Sequence, residues 1–202
     1  YFNPSMQSKH MTSTPVILSG FADEAANDKL AVQQFSALAA AGLQHYSIRF
    51  IDVGDGIKNS MALTKSELKS VVKMQQEYGL SVASMGSPIG KVRLLEVDDG
   101  TSNRFVPFKK YLQSDVKHAC SVANTLGTKL IRGFSFYHPV GSQPEEHLKQ
   151  VVDQIGQITD VCAAEGLVYG LEVEANLVGQ TGKILAEIHR QVKSSHLVLI
   201  FD

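Results

Sequence analysis

The 202-residue chain carries 19 basic and 20 acidic side chains, a net charge of −1 and an apolar fraction of 44%. This composition excludes a low-complexity disordered chain. No apolar stretch reaches the roughly 18 residues that a membrane-spanning helix needs. The near-neutral charge gives no broad attraction to nucleic acid or to an anionic membrane. We therefore expect one globular domain without nucleic-acid or membrane partners.

Two features set the expected boundaries and compartment. Residues 1–11 are polar and aperiodic, and we interpret them as a tag or a disordered terminus before a domain at 12–202. Cys120 and Cys162 show no CxxC spacing and fall in segments with helical periodicity. We expect both cysteines to be reduced core residues, which predicts a cytoplasmic protein.

From residue 16 onward, helical stretches alternate with short apolar runs. Several predicted helices end at a glycine suited to the left-handed position, namely Gly42, Gly79, Gly127 and Gly166. Other helices are predicted to begin at the capping box of Thr64 and Glu67, at Ser142 and at Thr181. The predicted strands cover 16–21, 45–50, 80–85, 129–134, 167–174 and 197–202. The pattern predicts six strands and five helices in strict alternation.

Strands separated by helices pair in parallel, either in an open doubly wound sheet or in a (β/α)8 TIM barrel. In the run 167–174, alternate positions are aliphatic, and the other face ends in Glu172 and Glu174. Asp202 ends the next run on the corresponding face. No GxGxxG or GxxxxGK[ST] phosphate loop follows a predicted strand. We favour the barrel, whose lumen-facing residues become polar towards the C-terminal mouth.

The carboxylates of Glu172, Glu174 and Asp202 are the strongest candidates for chemistry. A carboxylate at the end of a buried strand is costly unless it is ion-paired, hydrogen-bonded or bound to a cation. Oxygen ligands of this kind suit divalent ions such as Mg²⁺ and Mn²⁺, and Glu174 could orient the ligands instead of binding the ion. The alternative is that these acids face solvent or pair with a neighbouring Arg or Lys.

Short motifs along the chain resemble one enzyme family in order. They are GFADE at 20–24, SPIGK at 87–91, IRGFSFY at 131–137, LEVE at 171–174 and IFD at 200–202. Together they resemble the sugar phosphate isomerase/epimerase branch of the xylose isomerase-like TIM-barrel superfamily, which is related to the apurinic endonuclease family 2 group. Barrels of this kind have eight strands in about 250 residues. The resemblance therefore implies that strands seven and eight are missing from this chain.

The resemblance also implies an activity and a set of site residues. It implies a divalent-metal-dependent isomerase or epimerase of carbohydrate metabolism that moves a proton next to the carbonyl of a sugar or sugar phosphate. Glu172 would be a metal ligand and the catalytic residue, and Asp202 would be a second ligand of a Mn²⁺, Mg²⁺ or Zn²⁺ ion. The family's other two ligands have no counterpart before the chain ends. The expected substrate-binding residues are Arg49, Lys91, Arg132, His138 and Glu174.

Two other functions remain open at this point, as does homo-oligomerisation. One is a zinc phosphodiesterase of the apurinic endonuclease type, which would need several histidines and basic loops at the mouth. The other is a non-catalytic barrel whose metal site has decayed.

Overall fold

A computed structural model describes residues 16–201 of the chain, so the segment interpreted as a tag and Asp202 lie outside the described residues. Its strands in chain order are β1 (Ser19–Phe21), β2 (His45–Ile48), β3 (Phe50–Asp52), β4 (Ile57–Asn59), β5 (Ser81–Gly86), β6 (Leu130–Gly133), β7 (Val168–Glu172) and β8 (Leu197–Ile200). Within residues 16–201, six of these strands form one parallel sheet in the order β1-β2-β5-β6-β7-β8.

The order of the sheet strands distinguishes the two architectures that the sequence allows. Each strand of the sheet lies beside the strand that precedes it in the chain, apart from the β3–β4 hairpin. A doubly wound sheet instead reverses its strand order at a switch point. Sequential parallel strands are the arrangement of a (β/α)8 barrel, so the predicted fold class is confirmed as a partial barrel.

The helices are α1 (Ala31–Ala40), α2 (Lys65–Glu77), α3 (Phe108–Tyr111), α4 (Lys117–Leu126), α5 (Leu148–Ala164) and α6 (Gly182–Val192). A π-helical segment, Leu112–Val116, joins α3 to α4 into one helical rod. The described part of the chain therefore contains the five helices that the sequence predicts. In the same range, no helix combines the length and apolarity that crossing a bilayer requires.

Local sequence signals determine most of the helix ends. Gly42, Gly79, Gly127 and Gly166 all have positive φ angles, as predicted. Thr64 forms the predicted capping box with Glu67, and the Thr181 hydroxyl accepts the Ile184 N–H. Ser142 differs from the prediction. Its hydroxyl donates to the Pro139 carbonyl, and a 3₁₀ turn, Pro144–His147, precedes α5.

The helices pack in chain order along the sheet, and their apolar faces build one core with it. α2 contacts α1 and α4, and α5 contacts α4 and α6. Phe35 and Tyr46 meet edge to face at 5.0 Å, and the Tyr46 hydroxyl donates to Gln75. Cys120 and Cys162 are both buried and unbridged, with their Sγ atoms 4.0 Å apart, so the prediction of free core cysteines is confirmed.

The first two strand predictions differ most from the structure, and the strand predicted over 167–174 is shorter, Val168–Glu172, so Glu174 lies beyond its end. The first strand covers only Ser19–Phe21, and the apolar residues 16–18 before it are exposed. The second predicted strand ends at Ile48, and the chain then forms the antiparallel β3–β4 hairpin. Gly54 and Gly56 turn this hairpin with positive φ angles. The hairpin places a short second sheet beside the carboxyl end of β2.

Candidate active site at the carboxyl end of the sheet

A cavity of about 230 Å³ opens at the carboxyl ends of β2, β5, β6 and β7. A TIM barrel enzyme carries its catalytic residues at this end. The lining residues are Arg49, Phe50, Asn59, Ser87, Pro88, Lys91, Arg132, Phe134, Glu172 and Glu174. The structure therefore brings together five residues that the sequence analysis selected, namely Arg49, Lys91, Arg132, Glu172 and Glu174. We call this cavity and its lining the mouth cavity.

A buried ion pair forms the floor of the mouth cavity. Glu172, at the end of β7, is 2% exposed, and Arg132, on the neighbouring strand β6, is 9% exposed. The Arg132 Nη1 group donates to both carboxylate oxygens of Glu172, at 2.9 and 3.2 Å. Removing one member of such a buried pair leaves the other charge poorly compensated, at a cost of about 3–5 kcal/mol. The burial cost of Glu172 is therefore offset at least in part by Arg132.

A second ion pair joins the ends of β1 and β2. Arg49 donates to one carboxylate oxygen of Asp23 from Nε at 3.1 Å and from Nη2 at 2.9 Å, and it also reaches Glu24 at 2.7 Å. Burial lowers the pKa of Arg49, but its hydrogen bonds to Asp23 and Glu24 raise it more, so the net pKa lies above the ordinary value. The guanidinium lies 4.7 Å from the centre of the Phe21 ring. Arg49 is thus held at the cavity wall by two carboxylates.

A third pair, between Lys91 and Glu174, lies nearer the opening. The Lys91 ammonium donates to Glu174 at 2.9 Å, and the two side chains are 33% and 38% exposed. The same ammonium lies 4.2 Å from the centre of the Phe134 ring, a cation–π distance. Lys91 and Glu174 are therefore the most accessible charged residues that line the mouth cavity.

The loops after β5 and β6 are hydrogen-bonded to each other, and this fixes the mouth. The Ser87 hydroxyl donates to the Arg132 carbonyl at 2.6 Å. The Phe134 N–H then donates to the Ile89 carbonyl at 2.7 Å. These bonds continue the parallel pairing of the two strands beyond their ends. Lys91 comes two residues after Ile89, so these hydrogen bonds also determine where Lys91 lies.

Gly90 allows the two loops to approach closely. It has a φ of +86°, and a Cβ atom there would lie 2.9 Å from Phe134 Cα and still closer to the Phe134 carbonyl. Its N–H donates to the Tyr111 hydroxyl, and its carbonyl accepts the Phe136 N–H. The Tyr169 hydroxyl, on β7, donates to the Phe134 carbonyl at 3.0 Å. Burial raises the pKa of this hydroxyl well above its ordinary value, so it stays protonated and remains a donor.

His138 does not reach the mouth cavity. It lines a separate cavity of about 520 Å³, which also includes Tyr137 and Asn176. Its Nδ1 lies 3.3 Å from the Ser142 hydroxyl, and its ring stacks on His147 at 6.3 Å. The structure thus separates His138 from the other described residues that the sequence analysis selected.

The residues of the mouth fit a divalent ion only in part. Glu172 offers the carboxylate oxygens that such an ion binds, but both oxygens already accept a hydrogen bond from Arg132. Within residues 16–201, no group of three or more His, Cys, Asp or Glu side chains gathers closely enough to hold a metal. Asp202, the second expected ligand, lies outside the described residues.

Sequence reasoning missed several members of the site. Asp23 lies in the GFADE motif, and the sequence alone assigns it no role, although it is 2% exposed and pairs with Arg49. Its position just after β1 could have indicated a role, because the carboxyl ends of parallel strands lie at the same end of a barrel. Asn59, which donates to the Gly86 carbonyl, belongs to a hairpin that the sequence pattern does not indicate. The sequence gives no indication of a role for Phe134, because the contact of its ring with the Lys91 ammonium exists only in the folded chain.

Comparisons with known proteins place these features in a family. The fold resembles D-allulose 3-epimerase from Methylomonas sp. in complex with D-allulose (18% identity, TM-score 0.64, 92% of this chain and 62% of that chain). It also resembles the IolI protein with a bound zinc atom (17% identity, TM-score 0.65, 90% and 61%). A third similar structure is the family 2 AP endonuclease from Brucella melitensis (12% identity, TM-score 0.63, 92% and 67%).

These similarities support the fold alone, since all three identities are low. The chain spans 62% of the length of the epimerase and 61% of the IolI protein. Among curated proteins, none matches the sequence. The sequence profile of the xylose isomerase-like TIM barrel matches residues 35–202, which is most of the chain. The chain therefore belongs to the xylose isomerase-like TIM barrel family.

Proposed function

We propose that the mouth cavity is the active site of a metal-dependent isomerase or epimerase that acts on a sugar or sugar phosphate. The observation that carries the proposal is the buried Glu172 carboxylate at the end of β7, held by Arg132 at 2.9 Å and facing a cavity of about 230 Å³. Pockets for drug-sized ligands are larger, about 300–1,000 Å³. A monosaccharide is the appropriate size for this cavity.

Glu172 is the group proposed to hold or move the proton next to the substrate carbonyl. Arg132 fixes the carboxylate in one orientation, so the reacting oxygen is positioned before the substrate arrives. Arg49 and Lys91, which follow the neighbouring strands β2 and β5, can donate to hydroxyl or carbonyl oxygens of the substrate.

The divalent ion that the family resemblance implies would be held by Glu172 and Asp202, with the remaining ligands unassigned. When bound, such an ion polarises carbonyl and hydroxyl oxygens and stabilises negative charge that develops on them. Because Arg132 contacts both oxygens of Glu172, a bound ion would share this carboxylate with the guanidinium.

The endonuclease alternative has no specific observation in its favour. It would need several histidines at the mouth, and the lining of the mouth cavity in the described residues contains none. The non-catalytic alternative is an outcome of the experiments that follow.

Exchange of substrate protons with solvent tests the reaction. The protein is incubated with D-allulose or D-fructose in deuterated water and followed by NMR. An epimerase acting at carbon 3 introduces deuterium there, whereas a ketose–aldose isomerase introduces it at carbon 2 of the aldose product and at carbon 1 of the returned ketose. Glu172→Gln is expected to abolish exchange, whereas Glu77→Gln, a change of the same kind on exposed α2, is expected to retain it. Sugar conversion without deuterium would refute proton transfer through solvent-exchangeable groups.

Metal analysis of the purified protein tests the ion. We expect a bound divalent ion in the wild type and a lower metal content in Glu172→Ala. If neither the wild type nor Glu172→Ala bound a divalent ion, the proposed metal dependence would be contradicted. That result would favour the non-catalytic barrel.

A further inference from the structure

Each basic side chain that lines the mouth cavity in the described structure already has a carboxylate partner. The pairs are Arg49 with Asp23 and Glu24, Arg132 with Glu172, and Lys91 with Glu174. The shortest nitrogen–oxygen distance in each group lies between 2.7 and 2.9 Å. Acidic groups thus outnumber basic groups in this set. The mouth is polar, and each of its cations already engages a carboxylate.

A phosphate-binding site needs the opposite arrangement. Proteins bind phosphate with uncommitted Arg or Lys side chains, whose charge-assisted bonds match its oxygens, and with backbone N–H groups at helix N-termini. Lys91 is the most accessible cation of the mouth cavity, but Glu174 lies 2.9 Å from its ammonium. A phosphate that reached Lys91 would lie beside a carboxylate of like charge, which repels it.

An uncharged polyhydroxylated ligand meets no such repulsion. Each hydroxyl can accept a hydrogen bond from a cation and donate one to a carboxylate. An ion pair such as Lys91–Glu174 therefore offers one hydroxyl both of its partners at once. The Phe50 ring, 41% exposed at the cavity wall, adds an apolar surface that suits the carbon face of a sugar ring.

We propose that Glu174 excludes phosphorylated ligands from the mouth cavity by holding Lys91, and that the site takes uncharged polyhydroxylated compounds. The statement about substrate rests on the proposed function, whereas the exclusion of phosphate rests on the Lys91–Glu174 ion pair itself. Glu174 is thus a specificity residue of the site.

Inorganic phosphate is the probe for the exclusion. Isothermal titration calorimetry at neutral pH compares the wild type with Glu174→Gln, which removes the negative charge beside Lys91 and retains a side chain of similar shape. We expect phosphate to bind the variant about tenfold more tightly. In the wild type, the charge-assisted hydrogen bond from Lys91 to Glu174 competes with phosphate for the ammonium, and the variant removes this competition. Glu77→Gln is the matched control, because Glu77 pairs with the exposed Lys73 on α2 and its loss changes the net charge equally.

A double variant, Lys91→Met with Glu174→Gln, locates the effect. It is expected to lose the gain in affinity, since the freed ammonium is then absent. An equal gain in Glu77→Gln would overturn the proposal, because it would assign the effect to net charge alone. Wild-type protein that binds phosphate as tightly as Glu174→Gln would also overturn it.

Titration with D-fructose and D-fructose 6-phosphate tests the substrate class. Tenfold tighter binding of the phosphorylated sugar to the wild type would overturn the inference. Failure of the proposed function would look different. No sugar would exchange deuterium, yet Glu174→Gln would still gain affinity for phosphate and the exclusion would stand.

Discussion

The close approach of the loops after β5 and β6 at Gly90 predicts a large effect of a small substitution. In Gly90→Ala, the new methyl group would lie 2.9 Å from Phe134 Cα and within the contact distance of the Phe134 carbonyl. Neither group is the flexible end of a side chain, so the backbone of one loop must move. That movement breaks or weakens the bond from Gly90 N to the Tyr111 hydroxyl and the bond from Phe136 N to the Gly90 carbonyl.

The magnitude follows from two contributions. An alanine in the left-handed region costs about 1–2 kcal/mol relative to the right-handed region. Each hydrogen bond lost from a buried position costs about 1 kcal/mol or more, and the ladder at Gly90 includes the bond from Phe134 N to the Ile89 carbonyl besides the two above. We expect Gly90→Ala to lower the free energy of unfolding by about 4 kcal/mol.

Gly100→Ala is the control that separates the two contributions. Gly100 has a φ of +75°, and a Cβ atom there meets nothing within 4 Å. It carries the backbone strain without the collision, so we expect a loss of about 1 kcal/mol. Urea unfolding is followed by circular dichroism, because the chain contains no tryptophan. If Gly90→Ala were no less stable than Gly100→Ala, the argument from the loop contact would be refuted.

Three other changes test the ion pairs and hydrogen bonds around the site. Arg132→Met should destabilise the protein by about 3 kcal/mol in urea unfolding, and the double variant with Glu172→Leu should recover most of that loss, because no uncompensated charge then stays buried. Tyr169→Phe should cost about 1–2 kcal/mol in the same assay, since a buried carbonyl loses its donor. A hydrogen bond from Lys58 is the main cause that lowers the pKa of Glu67 from 4.5 to about 2. This stabilisation is complete above the unfolded pKa and is lost as the pH falls from about 5 towards 2, so Glu67→Gln should flatten that part of the pH–stability profile.

The sequence contained the information for most of the fold because that information is local. A glycine that ends a helix, such as Gly127, acts through its own φ angle, and the capping box of Thr64 joins residues three apart. The alternation that put Glu172 at a strand end also depends on neighbouring positions. These signals identify the elements and, with strictly alternating strands and helices, the barrel.

The contacts of the candidate site depend on residues that are distant in the chain. Lys91 and Glu174 are 83 positions apart, and no periodicity connects them. Their pairing depends on how far the loops after β5 and β7 rise above the sheet. His138 illustrates the limit, because it lies only five residues after the end of β6 and yet its loop places it in another cavity. Position after a strand therefore indicates the end of the barrel but not the cavity that a side chain lines.

The β3–β4 hairpin forms one wall of the mouth and is anchored to the barrel near its base, where Ile51 is buried and Asn59 donates to the Gly86 carbonyl. Its two strands bond to each other, and Arg49 and Ser60 at its base are tied by a single backbone bond of 2.9 Å. The tip between Gly54 and Gly56 is exposed and takes no part in the pairing of the main sheet. Insertions or substitutions at the tip can therefore reshape the entrance without disturbing the register of the barrel strands. For protein engineering, the hairpin is the natural place to diversify when the aim is a new ligand on an unchanged scaffold.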